Sequence, residues 1–84
     1  MSGPLTVQIV APDRVLWSGD ADFVSAPAAD GALGLLPGHE SVLALLRAGA
    51  VRVRAGGDVT EFPVEQGFLS FDANVVTVVV GGRH

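Results

Sequence analysis

His39 is the residue best suited to proton transfer, because the chain's other histidine is the last residue, His84. It follows the turn pair Pro37-Gly38 and precedes Glu40-Ser41. A hydrolytic reading would orient its ring with Asp30 or Glu40 and give it Ser18, Ser25, Ser41 or Ser70 as nucleophile. The spacing assembles no such triad, and the Gly-x-Ser-x-Gly elbow is absent. A histidine in a surface turn is the simpler reading. Asp20 and Asp22 lie two apart, a spacing that puts two carboxylates on one strand face and could hold calcium weakly. Solvated strand-edge carboxylates are the better reading, since charged edges discourage wrong pairing. Gly31-x-x-Gly34 is no phosphate loop, since no Gly-Lys-Ser/Thr follows it. The residues therefore predict neither catalysis, nor a cofactor, nor a metal centre.

The elements that must carry these residues are strands. Glycine and proline punctuate the chain at gaps mostly too short for helices, and valine occurs 14 times. Leu5-Thr6-Val7-Gln8-Ile9 alternates apolar with polar residues. So does Val51-Arg52-Val53-Arg54, which turns both arginines away from the core. Gly56-Gly57-Asp58 reads as a hairpin turn, and Thr60–Glu65 returns with Phe62 and Val64 on one face. Asp72-Ala73-Asn74 is a second turn, after Phe68–Phe71. Val75–Val80 is nearly all apolar, which predicts a strand covered on both faces. His39–Arg47 stays ambiguous: its apolar run Val42–Leu46 fits a short helix or a buried strand. The pattern as a whole predicts an all-β single domain over residues 1–84, a sandwich or flattened barrel of eight to ten short strands.

Composition removes several functions. The chain has 84 residues, 49% hydrophobic and only 17% charged, with no cysteine. That excludes a disordered chain, a disulfide scaffold and a cysteine-based zinc site. The net charge is −4 with no lysine, and the five arginines form no basic run. Nucleic-acid binding and adhesion to an anionic membrane are disfavoured accordingly. Without lysine the chain cannot be a lipoyl or biotinyl carrier. The ten-residue apolar stretch Ala73–Gly82 is half the length of a spanning helix, so no membrane insertion is expected. The start, Met1-Ser2-Gly3-Pro4, lacks the features of a signal peptide. So small and apolar a domain, without staples, points to surface covered by a protein partner.

Three segments are more specific. Val10-Ala11-Pro12-Asp13-Arg14 with Trp17-Ser18-Gly19 resembles the first hairpin of the epsilon subunit of rotary ATP synthases. Asp22–Pro27 followed by Gly31-Ala32-Leu33-Gly34-Leu35-Leu36-Pro37-Gly38-His39 resembles the central signature of that family. Gly67-Phe68-Leu69 with Asn74–Val78 resembles its closing hairpin. The resemblance runs in order over about residues 5–80.

It implies a flattened β-sandwich of about ten strands, with Val42–Leu46 a strand. It implies a non-catalytic rotor subunit that joins gamma to the ring of c subunits, peripheral to the cytoplasmic face of a bacterial membrane and not self-associating in the complex. Asp30, Gly31, Ala32, Leu33, Gly38, His39 and Glu40 would face the ring and gamma, and Gly67 and Phe68 would face gamma. Ala32 stands where many members carry glutamate, and Glu40-Ser41 replaces the usual Ala-Pro. Asp30 or Glu40 is the candidate to supply the polar ring contact instead. Many members continue into a helical hairpin that brakes hydrolysis. This sequence ends at Gly81-Gly82-Arg83-His84, so a coupling role without that switch is expected. The competing reading is a stand-alone ligand-binding sandwich, such as a small sugar-binding domain. It has little to build on, with one tryptophan, Trp17, and one asparagine, Asn74.

Overall fold

The computed structural model describes residues 3–81. Among them there are nine strands and no helix: β1 (Leu5–Ala11), β2 (Arg14–Ala21), β3 (Phe23–Ala28), β4 (Gly31–Leu35), β5 (Val42–Leu46), β6 (Gly49–Ala55), β7 (Asp58–Val64), β8 (Gly67–Asp72) and β9 (Val75–Val80). The all-β expectation holds, and Val42–Leu46 is a strand. The chain end at Gly82, Arg83 and His84, on which the expected lack of a helical hairpin rested, lies outside the described residues.

All nine strands belong to one sheet, in the order β2-β1-β9-β8-β5-β3-β6-β7, with β4 on the free side of β3. Every pairing is antiparallel except β1 with β9. The sheet curls so that β2 comes back against β6, and its inner face forms one continuous core. The layering of a sandwich therefore arises from one folded-over sheet. The alternation read in the sequence is realised on that inner face. Leu5, Val7 and Ile9 of β1 and Val51 and Val53 of β6 are buried, while Arg52 and Arg54 point out. Phe71 is the largest fully buried side chain.

Two-residue loops fix the registers. Gly56-Gly57 joins β6 to β7, and Ala73-Asn74 joins β8 to β9, with positive φ at all four residues. That is the backbone of a hairpin turn whose twist matches the strands it connects.

The strand expected to be covered on both faces is not. In β9 the residues Val76, Val78 and Val80 are buried, but Thr77 and Val79 are only half-buried and Val75 is exposed. The cause is topological: a single curled sheet has one inner face. The apolar run Val42–Leu46 departs from the buried-strand reading in the same way, because Leu43 and Leu45 project outward.

Candidate functional site

β4 separates the two segments that the sequence singles out. Gly31, Ala32 and Leu33 lie in this strand and not in a loop, with Ala29-Asp30 forming the tight turn before it. Ala32 and Asp30 are exposed, and Leu33 packs partly against the core. Beyond β4, residues 36–41 form a loop that carries Gly38, His39 and Glu40, all exposed. Five strand residues put roughly 17 Å between the Asp30 turn and this loop.

β5 runs between these two ends. Its last residue, Leu46, pairs with Ala28 beside the Asp30 turn, and its first, Val42, follows the loop. Alternation sends Leu43 and Leu45 outward, 78% and 71% exposed. Phe68 of β8, which pairs with Leu45, faces the same way and is 40% exposed. Leu43, Ala44, Leu45 and Phe68 line an open groove of about 410 Å³. It adjoins a second groove of about 450 Å³, lined in part by Leu45, Gly67, Phe68 and Val79. The outer face of β5–β8 is thus apolar on a rigid sheet, with one exposed carboxylate, Asp30 or Glu40, toward each end. Such a face suits a protein partner better than a small polar ligand.

The sequence reading selected Gly67 and Phe68 in this patch but missed Leu43 and Leu45. Their signal was present, as leucines at alternate positions of a short apolar run, but a five-residue run does not say which face is covered. Gly67 has φ 152°, and a Cβ there would fall on the Val79 carbonyl oxygen and within 3.0 Å of Val80 Cα. Its lack of a side chain thus serves the close pairing of β8 with β9, whatever binds outside.

Among the described residues, no catalytic constellation forms. The His39 Nδ1–H donates to the Glu40 carbonyl at 2.7 Å, and the imidazole stacks edge-on against Phe71 with ring centres 5.9 Å apart. The nearest candidate nucleophile by sequence, Ser41, instead donates its hydroxyl to Asp72 Oδ1 at 2.7 Å. Asp22 lies in the one-residue step between β2 and β3, where it accepts the Gly56 N–H at 3.2 Å, so it shares no strand face with Asp20. Among the described residues, no three histidine or acidic side chains converge as metal ligands. The arginine pair of β6 is engaged internally, Arg52 with Glu61 and Arg54 over the Phe23 ring at 5.2 Å. No helix of the described residues is long and apolar enough to cross a membrane.

Residues 4–82 match the family described as ATP synthase, Delta/Epsilon chain, beta-sandwich domain. The chain belongs to this family. The epsilon chain of Synechococcus sp. (strain WH7803) is 46% identical over 76 residues, which are 90% of this chain and 56% of that relative. The epsilon chain of Frankia casuarinae is also 46% identical, over 77 residues that are 90% of this chain and 91% of that relative. The chain therefore spans little more than half of the cyanobacterial epsilon chain and nearly all of the Frankia one. Its fold is that of a chain in the Euglena gracilis mitochondrial ATP synthase F1/c-ring structure, with TM-score 0.86 and 20% identity over 92% of this chain and 50% of that one. A chain of the Tetrahymena thermophila mitochondrial ATP synthase central stalk/c-ring structure superposes with TM-score 0.80 at 17% identity, covering 96% of this chain and 66% of that one. At these identities the likeness concerns the fold alone. The epsilon-family sandwich can thus be drawn on this chain as one curled sheet with an apolar outer stripe.

Proposed function

We propose that this epsilon-family domain is a non-catalytic rotor part that fastens gamma to the c ring, so that proton-driven rotation of the ring reaches the catalytic sites carried elsewhere. Gamma covers the outer stripe of Leu43, Leu45, Gly67 and Phe68. The Asp30–Leu33 turn and strand and the Gly38–Glu40 loop, at the two ends of β5, make the polar contacts to the ring and to gamma. The domain works at the cytoplasmic face of a bacterial membrane, held there by the ring and not by insertion.

The observation that carries this reading is two fully outward leucines on the middle of a rigid sheet in an epsilon-family domain. A torque-bearing joint needs a stiff body with a dry contact, and a well-packed sheet with an apolar stripe supplies both. The sugar-binding alternative is not favoured. Trp17 is half-buried, packs against the core and lies over Gly19, where a Cβ would approach its ring to 3.2 Å, so it offers no free platform.

Co-purification tests the assignment. A tagged copy of this chain should retain gamma and the c ring from its own detergent-solubilised synthase. A chain that elutes alone under conditions that keep the rest of the enzyme together contradicts it.

A further inference from the structure

The loop 36–41 has no strand partner of its own, yet it is tied down at several points, nearly all to one hairpin. The Gly38 N–H donates to Asn74 Oδ1 at 2.8 Å. The Ser41 hydroxyl donates to Asp72 Oδ1 at 2.7 Å, and the His39 ring rests on Phe71. Two bonds lie within the loop itself, from the His39 N–H to the Leu36 carbonyl at 3.1 Å and from the His39 ring to the Glu40 carbonyl at 2.7 Å. Phe71, Asp72 and Asn74 all belong to the end of β8 and its turn into β9. Asn74 also receives the Thr6 N–H on its own carbonyl at 2.8 Å, which fixes the turn to β1. Its φ of 63° is a conformation that asparagine tolerates and most residues do not.

We propose that Asn74 is a positioning residue for partner recognition, with Ser41–Asp72 as its second clamp. Together they hold Gly38, His39 and Glu40 in their binding geometry before the partner arrives. This rests on the reading of the loop as a contact surface for gamma and the ring. A six-residue loop with few bonds of its own would otherwise have to be ordered at the moment of binding, and preorganisation removes that cost. Asn74 touches no partner in this scheme and acts through the Gly38 amide.

Asn74→Gly tests it, because glycine keeps the left-handed turn and the Thr6 bond while deleting the acceptor. Asn74→Asp is the conservative control that keeps an oxygen at the same place, and Ser41→Ala releases the second clamp without touching the turn. Three quantities are read on the full chain: hydrogen exchange of the Gly38 amide, the thermal midpoint, and affinity for a gamma–c-ring complex prepared without this chain. The expected result for Asn74→Gly is loss of Gly38 protection, a near-native midpoint and roughly three- to tenfold weaker binding. Asn74→Asp should restore protection and affinity, and Ser41→Ala should weaken binding by a similar factor. Native affinity in Asn74→Gly with an unprotected Gly38 amide overturns the proposal. So does a Gly38 amide that stays protected. If the wild-type chain itself fails to bind the gamma–c-ring complex, the functional reading falls and the proposal with it, whereas the exchange data alone still report whether Asn74 holds the loop.

Discussion

Truncating Leu43 and Leu45 to alanine separates binding from folding. Each substitution removes three carbons, and burying a carbon of this kind contributes about 0.8 kcal/mol. Leu43 is 78% exposed and Leu45 71%, so roughly three-quarters of that contribution is not yet used in the isolated domain. An interface that covers both should lose about 1.5–2 kcal/mol per truncation, roughly ten- to thirtyfold in affinity, and roughly a hundredfold or more in the double variant. Folding should hardly notice, because both side chains lie on the outer face and a strand-surface change costs under about 1 kcal/mol. Titration of each variant into gamma by calorimetry, beside thermal unfolding of the free domain, reads both quantities. Val15→Ala and Val59→Ala are matched controls, since these valines are 53% and 57% exposed on the terminal strands β2 and β7. Affinity for gamma within twofold of wild type in the double variant refutes the docking surface, as does an equal loss in the Val15 and Val59 controls.

Three further outcomes follow from named contacts. Gly67→Ala should destabilise the domain by at least about 2 kcal/mol, from left-handed backbone strain and displacement of β9. In a chain this short that lowers the thermal midpoint by roughly 8–16 °C, and a drop below about 3 °C would mean that β9 yields easily. Ala73→Asn should stabilise by about 0.5–1 kcal/mol, because alanine at φ 50° is disfavoured in a two-residue hairpin turn where asparagine is tolerated. A lower midpoint in chemical or thermal unfolding would contradict it. If the loop 36–41 meets the ring as proposed, Glu40→Lys should weaken assembly with the ring more than Asp58→Lys, since Glu40 sits in that loop and Asp58 starts the edge strand β7. Equal assembly of the two in a reconstitution assay counts against Glu40 as a ring contact.

The strands were legible because their period is local. Leu5, Val7 and Ile9, or Val51 and Val53, alternate with polar neighbours, and Gly56-Gly57 dictates a turn by itself. What sequence could not assign was the outer surface. Val75–Val80 reads as doubly covered, and Val42–Leu46 as a short helix or a buried strand, because apolar residues stand at consecutive positions. Only the single curled sheet shows that one face of each lies outside the core. Gly38, His39 and Glu40 are singled out by resemblance, but the residues that hold their loop are not. Asn74 lies 36 positions from Gly38, and Asp72 lies 31 from Ser41, so their pairing is a product of the fold. Gly67 illustrates the converse. Its identity was legible, while its close contact with the β9 backbone was not.

The most direct test is coupling in the assembled enzyme. Synthase reconstituted in sealed vesicles, with and without this chain, is supplied with ATP, and proton uptake and phosphate release are measured together. The expected result is hydrolysis with little proton uptake when the chain is missing, full uptake when it is added back, and poor recovery with the Leu43→Ala/Leu45→Ala variant. Full proton uptake per ATP in its absence would contradict its role as the joint between ring and stalk.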